Sequence, residues 1–246
     1  MQNRAFMKLL WVLLFYFFYS PSFSQISNND ISPDDQVKQS IQLYDKFTGD
    51  QAAIYNGGEY VPYIFRKEGS PFFESDSLTN GYIAYAGRLY DSVPVQYDVA
   101  RNQVVIENYD RLSKIVLHNH AIDSFHFSNH TFIRLKEDPG QNLDSTDFYD
   151  LLLNSHIQVL ARRKKSFQET FKDNEVVRIF HNEDHFYIHK GNKYYEVNNK
   201  KEVLSIFNDK KRELRNLMRQ QKIKLKRKNF NEALVKTATM YDQLIN

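Results

Sequence analysis

Short runs of β-branched and aromatic residues recur through the middle of this chain, from Gly81 to Val197. They include YIAYAGRLYDSVPVQYD, QVVIENY, KIVLHNH, SFHFSNHTFIRL, IQVLARR, VVRIFHN and HFYIHKGNKYYEV. Such residues favour strands, and turn signals separate the runs at Ala86-Gly87, Arg101-Asn102 and Gly191-Asn192. Because the connections are short, the spacing favours antiparallel neighbours over helical crossovers. The sequence therefore predicts an antiparallel β core over residues 81–197, as a sandwich or a half-open barrel, in an α+β protein.

The segments that flank this core have other patterns. SPDDQVKQSIQLYDKF begins with Ser32 and Pro33, which suit an N-cap and a first helical position, so we expect a short N-terminal helix. The remainder of residues 25–80 is interrupted by glycine and proline and is rich in aromatic residues, which indicates an ordered but irregular segment. STDFYDLLLN indicates a short helix after Ser145 that interrupts the strands.

Residues 198–246 predict a C-terminal helical hairpin, with longer helices from Asp209 to Gln221 and from Phe230 to Ile245. Each helix has one apolar stripe, which consists of Leu214 and Leu217 in the first and Leu234, Ala238 and Tyr241 in the second. Helices of this length are marginal in isolation, so both stripes should pack on the sheet. Asn208 and Asn229 are candidate N-caps. Since the only break in composition is near Asn198, residues 25–246 are expected to form one module.

The N-terminus has the pattern of an export signal. Arg4 and Lys8 precede the apolar run LLWVLLFYFFY, and small residues follow at Ser22 and Ser24. The run is shorter than the roughly 20 residues of a membrane-spanning helix. We therefore expect residues 1–24 to be a cleaved signal peptide, with Gln25 as the mature N-terminus and no membrane span after cleavage; an uncleaved anchor is the alternative. The chain has no cysteine, so an exported form would depend on its core rather than on disulfides.

Several longer phrases resemble a group of secreted, functionally uncharacterised proteins of the Bacteroidota. They are LYDKFTGDQAAIYNGGEYVPY, GSPFF, GYIAYAGRLYDSVPVQYDV, FYDLLLNSHIQVLARRKK and LSIFNDKKRELRNLMRQQKIKLKRKNFNEALVKTATMYDQL. Together they cover most of the mature chain. The resemblance implies an exported protein of a Gram-negative envelope, in the periplasm or at the outer membrane and cell surface. It implies no reaction, and no catalytic residue is carried over from it.

Histidines are concentrated in LHNHAIDSFHFSNH, which runs from Leu117 to His130. Two strand imidazoles at i and i+2 can share a zinc ion, but a catalytic site needs a third ligand and a held water. HNEDH contains a second pair of histidines, His181 and His185, which would face each other across a three-residue hairpin loop. A polar sheet face and a polar hairpin tip explain both groups, so we predict no metal and no cofactor. The candidate ligands, should a metal bind, are His118, His120, His126, His181 and His185.

Basic residues are the strongest charge feature. Between Lys210 and Lys228 there are ten lysines and arginines against one acid, Glu213, and a second basic patch is Arg162-Arg163-Lys164-Lys165. A solvated helix face and a dock for an anionic partner both explain the longer run. Export argues against nucleic acid. The predicted partner-binding residues are Lys210, Arg215, Arg219, Lys226, Arg227 and Lys228.

These observations favour a non-catalytic function. The chain lacks a cysteine nucleophile, a Gly-x-Ser-x-Gly elbow and a phosphate-binding loop, so no catalytic residue is assigned. We expect an exported accessory subunit that binds an envelope protein or an anionic envelope surface. One alternative is a lipid or glycan carrier with a half-barrel cavity, whose mouth is formed by the aromatic residues between Tyr55 and Phe73. A second is a metal-dependent hydrolase that uses the histidines.

Overall fold

The computed structural model describes residues 52–135 and 143–245, together with five residues of helical conformation at positions 36, 37, 39, 40 and 43. The chain divides into two compact units, residues 1–47 and 48–246. In the first unit, the Ser40 hydroxyl donates to the Gln36 carbonyl oxygen at 2.9 Å. The predicted signal peptide, Gln25 and the predicted cap at Ser32 lie outside the described residues.

Residues 58–197 of the second unit contribute the strands. Their bounds are β1 Gly58–Glu59, β2 Lys67–Glu68, β3 Thr79–Tyr85, β4 Arg88–Asp98, β5 Gln103–Glu107, β6 Lys114–Val116, β7 Ile122–Phe127, β8 His130–Arg134, β9 Phe148–Asn154, β10 Gln158–Arg162, β11 Lys165–Lys172, β12 Glu175–Asn182, β13 His185–Lys190 and β14 Lys193–Val197.

Eleven of the described strands form one antiparallel sheet, in the order β1-β6-β5-β4-β3-β7-β8-β9-β10-β13-β14. The sheet does not close on itself. The predicted antiparallel core is therefore confirmed. The three predicted turns are confirmed as well. Ala86 and Gly87, with φ of 51° and 76°, join β3 to β4, and Arg101 and Asn102, the latter with φ of 53°, lie in the turn between β4 and β5. Gly191, with φ of 63°, lies between β13 and β14. Left-handed residues suit two-residue hairpin turns because their twist matches that of the strands.

Strands β10 to β13 form one long hairpin of constant register. In the large sheet, Gln158 pairs with His189 and Arg162 with His185. In a second, three-stranded sheet, β11 pairs with β12 from Lys165–Asn182 to Lys172–Glu175, and β12 pairs in parallel with β2. The Glu183 N–H donates to the Lys164 carbonyl at 2.9 Å, so the ladder continues across the junction between the sheets.

Two local predictions are wrong in this region. The hairpin loop expected at Asn182-Glu183-Asp184 is the point where the chain passes from one sheet to the other, and the turn itself lies at Asp173-Asn174, where φ is 53° and 67°. The short helix expected after Ser145 is strand β9, which pairs with β8 and β10. Local helix preference in a leucine-rich run is weak, and hydrogen bonding on both sides outweighs it.

Aromatic rings fill the core of the large sheet. Phe125, Phe132 and Phe148 are fully buried. The rings of Phe125 and Phe132 stack at a centroid distance of 4.8 Å, and the edge of Phe148 meets Phe125 at 5.1 Å. Burial of such rings contributes about 1.5–3 kcal/mol each, and edge-to-face pairs add about 0.5–1.5 kcal/mol. These strands are therefore the rigid part of the fold.

The C-terminal residues form helices α1 Lys200–Ile206, α2 Lys211–Gln220 and α3 Phe230–Ile245. Their apolar stripes pack into a second core with Val159 and Ile188, as predicted: Leu214, Leu234, Ala238 and Tyr241 are buried, and Leu217 is half-buried. None of the helices in the described part of the chain has the length and apolarity needed to cross a bilayer.

The helix caps differ from those predicted. Asn199 caps α1 by accepting the Glu202 N–H at 3.1 Å, and the Glu202 carboxylate accepts the Asn198 N–H at 2.7 Å. Helix α2 follows Lys210, which offers no side-chain cap, so Asn208 is not its cap. The Asn229 side chain accepts the N–H of Lys226, three residues before it, at 3.2 Å.

Candidate functional site

The exposed lysines and arginines of α2 and of the segment leading to α3 form a surface that we call the basic surface. Its members are Arg212, Arg215, Arg219, Lys222, Lys224, Lys226, Arg227 and Lys228. Five of the six predicted partner-binding residues belong to it, and the sixth, Lys210, is half-buried. The helical pattern predicted the exposure of Arg215 and Arg219 on α2, whereas Lys226, Arg227 and Lys228 lie between the two helices.

Helix α2 orients the first part of the basic surface. Leu214 and Met218 point into the core, so Arg215 and Arg219, one turn apart, project from the exposed side. The helix ends with the Ile223 N–H donating to the Met218 carbonyl at 2.8 Å and the Lys222 N–H to the Arg219 carbonyl at 3.2 Å. This is a Schellman C-cap, with Lys222 left-handed at φ 54°.

The charges of the basic surface are not neutralised within the described residues. None of its eight side chains makes an ion pair or a side-chain hydrogen bond with another residue of 52–135 or 143–245. Like charges placed close together repel one another and concentrate external anions. The surface is therefore suited to an anionic partner.

The second basic run, residues 162–165, differs from the basic surface because most of its side chains have partners within the fold. Arg163 is only 8% exposed and Asp150 only 1%. The Arg163 guanidinium donates twice to Asp150, at 3.0 and 2.6 Å, and once to Asp184 at 2.7 Å. Asp184 lies between β12 and β13, so these bonds hold both strands of the long hairpin where it leaves the large sheet.

His130 extends this buried network. Its Nδ1 lies 2.9 Å from Asp150, and its Nε2 lies 3.3 Å from Glu74. The hydrogen bond to Asp150 raises the pKa of His130, and partial burial opposes the increase. The edge of Phe73 meets the imidazole at a centroid distance of 4.9 Å. The imidazole is thereby fixed between two carboxylates.

The other residues of the run are also engaged. Arg162 contacts Asp147, and Lys165 Nζ donates to the carbonyl oxygens of Ser70, at 3.0 Å, and Phe72. Burial lowers the pKa of Lys165. The interpretation of this run as a second surface patch is therefore wrong for Arg162, Arg163 and Lys165. Carboxylates inside the fold pair with the two arginines, and backbone carbonyl oxygens accept hydrogen bonds from Lys165. Lys164 alone has no described side-chain partner.

The candidate metal ligands lie at separate places. His118 precedes the 3-10 turn Asn119–Ala121 and His120 lies within it, so neither is on a strand. Their ring centroids are 5.6 Å apart, and His118 Nε2 lies 3.0 Å from the Asn56 carbonyl oxygen. His126 stacks on Tyr82 at 4.8 Å.

The two histidines of HNEDH do not face each other across a hairpin loop, because His181 pairs with Ser166 and His185 pairs with Arg162. His185 Nδ1 lies 3.0 Å from Glu196. Across the described residues, no group of three or more histidines, cysteines, aspartates or glutamates is arranged to hold a metal ion.

Sequence reasoning missed the network around Asp150. The available signal was a charged residue inside the apolar run FYDLLL, since aspartate is almost never fully buried unless it is paired. Its partners His130 and Arg163 are 20 and 13 residues away along the chain. Only the strand register brings them together.

A cleft of about 510 Å³ lies beside β1 and β6, in the aromatic-rich segment. Its lining includes Tyr60, Tyr63, Phe72, Lys67, Lys114 and Glu107. The hydroxyls of Tyr60 and Tyr63 donate to the buried Asp98 at 2.9 and 3.0 Å. Burial, together with that carboxylate, raises the pKa of both tyrosines. The anchored hydroxyls hold this wall of the cleft in place.

The fold and these sites define an α+β protein with an open antiparallel sheet, a long two-part hairpin and a basic helical surface. No protein-family model matches the chain, and neither does any curated protein or solved structure. The function is therefore argued from the geometry.

Proposed function

We propose that the chain is an exported, non-catalytic accessory protein of a bacterial cell envelope, and that it docks on an anionic envelope surface through its basic surface. The observation that carries the proposal is the exposure of eight basic side chains that have no described ion-pair partner. The export pattern before Gln25 and the resemblance to secreted Bacteroidota proteins support the location. Phosphate groups of lipids or lipopolysaccharide have the complementary charge.

The proposal requires binding that depends on charge and on position. Exposed charges are screened beyond about 10 Å at 0.1 M salt, so added salt should weaken the interaction. Reversing Arg215, Arg219 and Arg227 to Glu should abolish sedimentation with vesicles that contain phosphatidylglycerol. The same variant should leave envelope fractions while its melting temperature stays close to that of the wild type.

A matched control separates position from net charge. Arg111, Lys193 and Lys200 are exposed, lie outside the basic surface and have no ion-pair partner among the described residues. Reversing these three to Glu changes the net charge by the same amount and should leave vesicle binding nearly intact. Equal loss in both triple variants, or binding that is insensitive to salt, would mean that the basic surface is only a solvated helix face.

Binding of a glycan in the aromatic cleft is a second candidate function. The cleft combines aromatic rings with cationic and carboxylate side chains, which suits sugar rings and hydroxyls. In this candidate the ligand occupies the cleft and not the core of the large sheet, because the buried rings of Phe125, Phe132 and Phe148 pack against one another there. Calorimetric titration with neutral oligosaccharides should give saturable heat that Glu107→Gln weakens. Absence of heat with every oligosaccharide would remove this candidate.

A further inference from the structure

The distal half of the long hairpin, Lys165–Asn182, projects beyond the large sheet, and we call it the arm. At about 3.4 Å per residue, its eight-residue strands reach roughly 27 Å. The proximal half has β9 and β14 as paired strands, whereas the only described strand that pairs with the arm is the two-residue β2, which lies against β12. Strand β11 is therefore an open edge within the described part of the fold.

Side-chain contacts brace both strands of the arm. Arg66 pairs with Asp173 and Glu175, each at 3.2 Å, and Lys172 pairs with Glu68 at 2.6 Å. The ring of Phe65 stacks over Phe180 at 6.5 Å. These contacts come from residues 65–68 and hold the arm in place while the edge of β11 stays free.

The free edge carries the charged residues Lys165, Glu169 and Lys172, but it lacks the backbone features that usually block strand pairing. Residues 165–172 contain no proline, no residue of positive φ and no shift of register. The described edge strands of the large sheet are shorter than β11, with two residues in β1 and five in β14. Apolar side chains line one face of the arm: Phe167 is 43% exposed, and at the tip Phe171 and its cross-strand partner Val176 are 71% and 54% exposed.

The hairpin turn fixes which backbone groups are free. Because a two-residue turn closes the arm, Lys172 and Glu175 form a hydrogen-bonded pair. By alternation, the N–H and C=O groups of Phe167, Glu169 and Phe171 point to the open edge. An added strand would bond to these three residues and would place alternate side chains beside Phe167 and Phe171.

We infer that β11 is a docking edge for an extended segment of another protein. The segment pairs with β11 as an added strand, and it carries a basic residue between two apolar residues. Glu169 pairs with Arg178 across the arm at 2.7 Å, and its side chain is still 53% exposed. Opposite charges on facing residues stabilise a sheet, so a basic residue in the added strand would bring a second cation to this carboxylate. Charge disfavours a second copy of this chain. The antiparallel register that sets Phe167 against Phe171 also sets Glu169 against Glu169, and like charges directly opposite are destabilising.

The inference is tested with a labelled probe peptide of alternating valine and threonine that carries one central arginine, added to the full chain. Glu169→Pro removes one outward N–H and no bond to β12, and proline is tolerated in that position of an edge strand. Phe171→Thr removes the exposed ring. Each should weaken peptide binding by about tenfold or more, equivalent to about 1.4 kcal/mol. The matched control is Tyr195→Thr on the edge strand β14, which should bind as the wild type does.

Three outcomes would overturn the inference. A scrambled peptide of the same composition could bind as well as the probe. Binding could survive in both Glu169→Pro and Phe171→Thr, with circular dichroism showing that both are folded. Light scattering could show a dimer of the chain that Phe171→Thr dissociates, which would assign the edge to a second copy. None of these results bears on vesicle binding by the basic surface.

Discussion

Two runs of basic residues in this chain are alike in sequence and opposite in role. Residues 162–165 carry four consecutive lysines and arginines, and residues 210–228 carry ten. In the first run Arg163 is enclosed by carboxylates, and in the second run Arg215 is exposed with no described partner. The difference is one of context, because the first run lies where two sheets meet and the second on the outer side of helices. Charge alone therefore does not indicate a docking surface.

The largest expected effect comes from removing the buried cation. Arg163→Met leaves Asp150 without its main partner in a dry site, and breaking a buried pair in this way costs about 3–5 kcal/mol. Urea unfolding at neutral pH measures the loss. The matched substitution Arg215→Met, on the basic surface, should change the free energy of unfolding by no more than about 0.5 kcal/mol. Similar losses for both would contradict the distinction between the runs.

A smaller effect depends on pH. His130→Gln removes a hydrogen bond to a charged group, which is worth about 1.5–3 kcal/mol when the imidazole is protonated. Because the folded protein raises the pKa of His130 above its ordinary value of 6.5, the proton-linked stabilisation is fully present below that value and is lost as pH rises through the folded pKa. The stability difference between wild type and variant should therefore be largest near pH 6 and should shrink in alkaline solution. A difference that stays constant across this range would disprove the linkage.

A modest gain is expected at the end of α2. Lys222 has a left-handed backbone, which costs an L-residue about 1 kcal/mol, and glycine adopts it freely. After allowing for the greater flexibility of unfolded glycine, Lys222→Gly should stabilise the chain by about 0.5 kcal/mol. Thermal and urea unfolding should both report the gain. Loss of stability would show that the lysine side chain contributes a contact of its own.

The smallest effect on stability per residue should come from neutralising the basic surface. Replacing Arg215, Arg219 and Arg227 by Gln should change the free energy of unfolding by no more than about 0.5 kcal/mol at each site. The triple variant should nevertheless bind anionic vesicles less tightly than the wild type. A marked loss of stability would mean that the two basic runs are more alike than their contacts indicate.

Much of the secondary structure could be predicted from local pattern. Strand alternation identified the antiparallel core, and the stripes through Leu214 and Leu234 identified the helices and thereby the outward side of the basic surface. Strand β9 was mistaken for a helix because its leucines have no strong strand preference, although its partner β10 begins only four residues after β9 ends. The turn at Asp173-Asn174 was missed, and the turn assigned instead, at 182–184, is a crossing between sheets.

The sequence by itself determined properties that depend on neighbours a few residues apart: strand alternation, three turns between strands, helix faces and the exposure of Arg215 and Arg219. Only the tertiary structure decided which charges are enclosed, because His130, Asp150 and Arg163 meet through strand register. Tertiary structure also made β11 an open edge. The hairpin of β10 to β13 continues in one register beyond the large sheet, so no described strand other than β12 pairs with β11. Short-range periodicity is encoded locally, whereas burial of a charge depends on what the rest of the chain places around it.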